Sequence, residues 1–267
     1  MKILKDVFEL NKAVKNYKNV GFVPTMGGIH KGHVSLIKIS QKNSKETIVS
    51  IFVNPTQFNQ KKDFKNYPRN IKKDISILRK LKVNYLFLPD VNEIYKKKTK
   101  NFKLNKSDKI LCAKYRKGHF EGVLNVMNRL LSIVKSKHVF MGKKDFQQYI
   151  LIKRILGKKY KINIVGCDTI RENNKIALST RNKLLKKSAI KIASKIAIKM
   201  DKLKRLSQIN KLVDLSKYKS ELENKFKIKV DYLEFRDEKK LKLNNFKSKY
   251  RLFIAYHING VRLIDNF

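Results

Sequence analysis

Tryptophan is missing from this 267-residue chain, cysteine occurs only twice, and acidic residues are few, 21 against 64 lysines and arginines. Nowhere do about 18 apolar residues follow one another, so no segment is expected to span a bilayer as a helix. Cys112 and Cys167 belong to no Cys-x-x-Cys pair, which argues against a disulfide framework or a thiolate zinc site. Both read as free thiols in a reducing compartment. The start, Met1-Lys2-Ile3-Leu4-Lys5-Asp6, lacks the apolar stretch and small-residue cleavage site of an export signal, and a cytoplasmic protein is expected.

The shortage of Asp and Glu leaves a formal charge of +43. Such an excess suggests a nucleic-acid or anionic-membrane surface, but the basic residues are overwhelmingly Lys and occur in every segment. Arg, the residue suited to bidentate contacts with bases and phosphates, is scarce. Lys, Asn and Ile are abundant together, as a global compositional bias would produce. No specific nucleic acid and no membrane is therefore expected as partner; the charge should instead draw in anionic small molecules.

What is present is a hydrophobic fraction of 42%, near the globular norm and sufficient for two cores of unequal size. Apolar, β-branched runs recur at 20–23, 48–53, 83–88, 139–141 and 162–165, separated by stretches of helical spacing such as Ile71, Ile75, Leu78 and Leu81. This alternation predicts βαβ units and a doubly wound parallel sheet over residues 1–170. From 171 to 267 the pattern changes. A helix over 184–204, another helical stretch near 211–226, and strands at 229–235, 252–258 and 261–264 predict a smaller α+β domain, with the stripe of the first helix packed on its sheet.

The chemistry-bearing residues follow the strands. The run ending at Val23 leads into Pro24-Thr25-Met26-Gly27-Gly28-Ile29-His30-Lys31-Gly32-His33, directly before a helix. Strand, glycine loop and helix in that order suit a phosphate, because backbone N–H groups and the helix dipole attract anions beyond the strand ends. Two imidazoles three residues apart can both donate to its oxygens, whereas no third ligand accompanies them to hold a metal. Asn54, Gln57 and Gln148 offer uncharged amides for a ligand bearing hydroxyls and a carboxylate. Lys144, in Gly142-Lys143-Lys144-Asp145, supplies a point charge for phosphate. Ser179, Thr180 and Arg181 bring two hydroxyls and a guanidinium that fit nucleotide phosphates, or alternatively cap the following helix. If that cluster reached the first domain, closure would complete a site and exclude water.

Taken in order, Pro24 to His33, Asn54 to Phe58 with Tyr67-Pro68-Arg69, Arg116 to Phe120, Gly142 to Gln148, Leu178 to Asn182 and Arg262-Leu263-Ile264-Asp265-Asn266 resemble the pantoate–β-alanine ligase family. The resemblance implies a Rossmann-like domain of the His-x-Gly-His nucleotidyltransferase type, a homodimer, Mg²⁺ dependence, and the condensation of ATP, (R)-pantoate and β-alanine to pantothenate, AMP and pyrophosphate. It implies ATP contacts at Met26, Gly27, Gly28, Ile29, His30, Lys31, Gly32, His33, Gly142, Lys143, Lys144, Asp145, Ile170, Leu178, Ser179, Thr180 and Arg181. His33, His30 and Lys144 would carry the catalysis. Gln57 and Gln148 would hold pantoate, with Gln57 also near β-alanine, and Mg²⁺ would be held mainly by the ATP phosphates. Four positions depart from the family: Lys143 replaces a usual Glu, Thr180 a Ser, Lys117 a Pro and Lys175 a turn glycine. Asn173 and Asn174, which tolerate positive φ, are expected to host that turn instead.

Overall fold

The computed structural model describes residues 1–59, 61–96, 101–209, 213–243, 246 and 248–267. The chain divides into two compact units. The first comprises Met1–Lys143 and Gln148–Asp168, the second Lys144–Gln147 and Thr169–Phe267. Residues 144–147, and 169 and 170, group with the carboxy-terminal part.

The first unit is built on a six-stranded parallel sheet in the order β1-β4-β3-β2-β5-β6. Its strands are β1 (Lys2–Leu4), β2 (Val20–Thr25), β3 (Glu46–Ile51), β4 (Tyr85–Phe87), β5 (His138–Gly142) and β6 (Asn163–Cys167). Strand order runs outward from β2 through β3 and β4, then restarts on the other side with β5, so the direction of winding reverses between β2 and β5. That junction is where open α/β sheets bind ligands. Val23, Val49, Leu86 and Phe140 on the strands pack with Ile37 and Leu78 of the covering helices, all essentially without solvent exposure. Burial on both faces explains why these strands read as unbroken apolar runs. The strand β1 escapes sequence reading because it is three residues long and, among the described residues, pairs only with β4.

In the second unit an antiparallel sheet, β7 (Lys229–Asp237), β8 (Tyr250–Ile258) and β9 (Val261–Asn266), is covered by a helix over Lys187–Ile209 and another over Leu215–Phe226. Ala189, Ala193, Ile196, Met200 and Leu203 recur at helical spacing and bury against Val230, Leu233, Leu252 and Ile254, which accounts for the apolar stripe as core. The helix starts at Lys187 rather than 184 because Thr180–Leu184 form a separate 3₁₀ turn. Residues 211 and 212 of the second expected helical stretch lie outside the described residues.

Candidate functional site

Strand β2 delivers the glycine loop to the carboxyl edge of the sheet. Gly27 and Gly28 adopt φ of 78° and 64°, a region that L-residues enter at a cost. A methyl group on Gly27 would stand 3.0 Å from the Asp74 carboxylate and 3.1 Å from Ile51, so space as well as dihedral demands glycine. The loop amides of Gly28 and Ile29 donate to the two oxygens of Asp74, both at 2.8 Å. Gly27 N donates to Thr25 Oγ1 at 3.1 Å, and Thr25 Oγ1 donates to the Ser50 carbonyl at 2.8 Å, tying the loop to β3. Two of the N–H groups that the sequence offers to a phosphate are therefore committed internally. Asp74, buried in the first turn of helix Ile71–Lys80, is the functional candidate that sequence reading misses.

The helix over Lys31–Asn43 begins with His30 as its cap. Its Nδ1 accepts from Gly32 N at 3.1 Å, so the neutral ring carries its hydrogen on Nε2 and presents that atom as a donor. His33, on the same helix turn, stacks on His30 with ring centroids 4.0 Å apart and planes 28° from parallel. The pair stands where the helix N-terminus contributes partial positive charge. Ile29 is buried, and Lys31 is exposed.

Beside this loop, the 3₁₀ turn Pro55–Gln57 follows β3, the neighbour of β2. Gln57 Nε2 donates to Met26 Sδ at 2.7 Å, which joins the two loops. Asn54 is placed differently from its expected role. It is 1% exposed; its Nδ2 reaches Gln57 Oε1 and the Gly122 carbonyl, each at 3.3 Å, and its Oδ1 accepts from Tyr95 Oη at 2.7 Å. It braces the turn from inside. The helix over His119–Val134 braces it from the other side, where a methyl on Gly122 would overlap the Thr56 carbonyl and lie 3.0 Å from Gln57 Cα. His119 Nδ1 donates to the Gln57 carbonyl at 2.7 Å, leaving Nε2 to accept from Arg116 at 2.9 Å. Gln148, half-buried, stands in the first turn of the helix Phe146–Ile152, and Gly142 closes β5. Lys143 pairs with Asp168 at 2.8 Å, which gives this lysine a local acidic partner.

The second unit carries the remaining candidates. Lys144 is largely covered, 17% of its side chain exposed, with Asp145 Oδ1 3.5 Å from its ammonium. Its carbonyl accepts from Asn266 Nδ2 at 2.8 Å. Arg171 clamps Asp265 with two parallel bonds of 2.7 and 2.9 Å and also donates to the Asn266 carbonyl at 3.0 Å. Burial pushes the Asp265 carboxyl above its usual range, and Arg171 opposes that shift. Between Arg171 and Ala177, which bridge one another, the chain turns through Lys175 at φ 71°. The lysine itself adopts the left-handed conformation, and Asn173 and Asn174 do not take it over. Asn174 Oδ1 instead accepts from Ile176 N at 3.1 Å, and its carbonyl accepts from Ser194 Oγ. The Leu178 amide bonds the Ile170 carbonyl at 3.0 Å. Ser179 Oγ accepts from Arg181 N at 3.3 Å and caps the Thr180–Leu184 turn, while Thr180 is buried.

Among the described residues no group of three His, Cys, Asp or Glu side chains gathers as a metal cage. Residues 2–267 match the family described as pantoate-beta-alanine ligase. The chain is 38% identical to a pantothenate synthetase of Flavobacterium psychrophilum over 97% of its own length and 98% of the relative's. Its fold is similar to that of pantothenate synthetase from Thermus thermophilus, with TM-score 0.91, 28% identity, and coverage of 100% of this chain and 99% of the other. It also resembles pantoate-beta-alanine ligase from Francisella tularensis, complexed with beta-gamma ATP and beta-alanine, at TM-score 0.85 and 36% identity, covering 100% of this chain and 97% of that one.

Proposed function

Because this chain belongs to the pantoate–β-alanine ligase family and condenses pantoate with β-alanine at the expense of ATP, we propose that the reaction runs on the His30–His33 loop and the Lys144 segment. The stacked pair of imidazoles at a helix start, directly after the central strand β2, is the observation that carries this assignment. Met26 to His33 hold the nucleotide, and His33 and His30 donate to phosphate oxygens as the pantoate carboxylate attacks the α-phosphorus and pyrophosphate leaves. With Gly28 and Ile29 engaged by Asp74, the imidazole donors and the helix dipole carry the anion contact. Lys144 offsets charge on the departing phosphates. Gly142, Lys143, Asp145, Ile170, Leu178, Ser179, Thr180 and Arg181 complete the ATP contacts. Gln57 and Gln148 bind pantoate, and Gln57 borders the β-alanine that attacks the acyl adenylate and expels AMP.

Mg²⁺ enters with ATP as its phosphate complex, and the chain works as a cytoplasmic homodimer whose first domain covers 1–170 and whose second covers 171–267. ATP consumption and the buried thiols Cys112 and Cys167 accord with a reducing cytoplasm. Incubation with ATP, Mg²⁺ and pantoate should release pyrophosphate, and adding β-alanine should yield AMP and pantothenate. His33→Ala should cut pantoate-dependent pyrophosphate release by about 10²-fold or more while sparing ATP binding, since its donor serves charge that develops in the transition state. Full turnover in that variant would remove His33 from the chemistry.

A further inference from the structure

We propose that Asn266 is a positioning residue for the adenylation step, fixing the main chain of Lys144 so that its ammonium stands ready for phosphate. The inference rests on the assignment of Lys144 to the ATP phosphates. Asn266 closes β9 opposite Phe253 of β8 and is 3% exposed. Both ends of its amide are engaged. Nδ2 donates to the Lys144 carbonyl at 2.8 Å, and Oδ1 accepts from Arg251 Nη1 at 3.0 Å. A carbonyl on one side and a guanidinium on the other leave only one orientation of the amide satisfied. Such a group acts as a rigid spacer between β8 and the Lys144 segment.

The same arginine secures the residue two positions on. Arg251 lies 4.6 Å over the ring of Phe146, and Phe146 packs on Phe253 with centroids 5.8 Å apart. Lys144 itself sits in the single 3₁₀ turn Lys143–Asp145, a form with poor hydrogen-bond geometry of its own. External bonds must therefore hold it. The neighbouring Asp265 completes the arrangement, accepting from the main-chain N–H of Asn266 at 2.8 Å and from Arg171. Asp265 and Asn266, consecutive on β9, thus tie down Arg171 and Lys144. A lysine stem has four rotatable carbons, so the backbone anchor decides which region the ammonium samples.

The test is a double-mutant cycle read by pantoate-dependent pyrophosphate release without β-alanine. Asn266→Asp keeps an acceptor for Arg251 and removes the donor to Lys144; Asn266→Ser shortens the reach and introduces no charge. Each should lower kcat on the order of 10-fold to 100-fold at saturating substrate, the scale of an ångström-level misplacement, and leave KM for pantoate unchanged. In a Lys144→Ala background neither should lower the rate further. Loss that multiplies in that background, or that appears only in KM or as a matching fall in melting temperature, overturns the proposal. Full activity in both single variants does the same. Lys144→Ala running at the parent rate has a different meaning: it overturns the assignment of Lys144 itself, whatever Asn266 does.

Discussion

The Gly28 amide points into the Asp74 carboxylate at 2.8 Å, and the next amide, Ile29, takes the other oxygen at the same distance. A buried anion thus sits beneath a loop assigned to an anionic substrate. Its charge is met by main-chain donors, and the fixed carboxylate in turn fixes the dihedrals of Gly27 and Gly28. The arrangement sets the path by which the chain arrives at His30.

Asp74→Ala should therefore raise KM for ATP and depress adenylation, with KM for pantoate little changed. Two buried N–H groups lose their acceptor, at roughly 1–3 kcal/mol each before relaxation. Asp74→Asn, which retains one acceptor oxygen, should fall between the variant and the parent. Steady-state pyrophosphate release with each substrate varied in turn measures this; normal ATP kinetics in Asp74→Ala would refute the link between carboxylate and loop.

Gln148 and Lys144 should separate by substrate. Gln148→Ala leaves a polar group of pantoate without its partner, and KM for pantoate should rise by the equivalent of about 1–3 kcal/mol with ATP little affected. Lys144→Ala should lower the maximal rate at saturating pantoate. A Gln148 variant that weakened ATP and spared pantoate would show the pocket to be misassigned.

Lys175 occupies a left-handed conformation in the turn between Arg171 and Ala177. Lys175→Gly relieves a steric cost of about 1–2 kcal/mol, partly offset by the greater freedom of glycine in the unfolded chain, so a net gain of under about 1 kcal/mol is expected. Urea unfolding would report it as a higher midpoint with an unchanged slope. A lower midpoint would mean that the lysine side chain contributes more than its backbone costs.

Lys204 gives a pH signature. Burial pulls its ammonium down to about 8, with Arg251 adding to the shift and Glu238 opposing it. The folded state therefore gives up this proton more readily than the unfolded chain does. Between about 8 and 10.5 the unfolded chain holds more protons than the folded one, and this residue's contribution to stability rises with pH. Relative to Lys204→Met, the parent should be least stable below pH 8 and gain across that window. Denaturation midpoints of both proteins at the two ends of the window would test it, and a constant difference would remove Lys204 as the cause.

The glycine loop is legible because its signal is local: three glycines and two histidines adjoin a strand whose apolar run announces itself. Asp74 is not, since it occupies a polar position on a helix with an ordinary apolar stripe and meets its partner across 46 positions of sequence. Asn54 misleads in the opposite sense. Its residue type suits a ligand, but tertiary packing consumes the whole amide, and no spacing rule reveals that. Lys175 shows a propensity argument overridden, because the flanking Arg171–Ala177 bridge fixes which residue must turn. The grouping of 144–147 with the second unit depends on Asn266, Phe253 and Arg251, all far along the chain, and nothing inside the tetrapeptide foretells it.

That grouping bears on how the protein can be dissected. The chain passes between the two units after Lys143, after Gln147 and again after Asp168, so a single cut does not separate them. A fragment ending at residue 168 would keep Phe146 without Phe253 and Arg251, leaving an uncovered aromatic ring and the Lys144 carbonyl without its amide. Conversely, a fragment beginning at 169 would carry those partners with an empty socket. Truncation would thus create a sticky surface on each half, and the complementary pieces should recover activity only when mixed, as split-protein halves do.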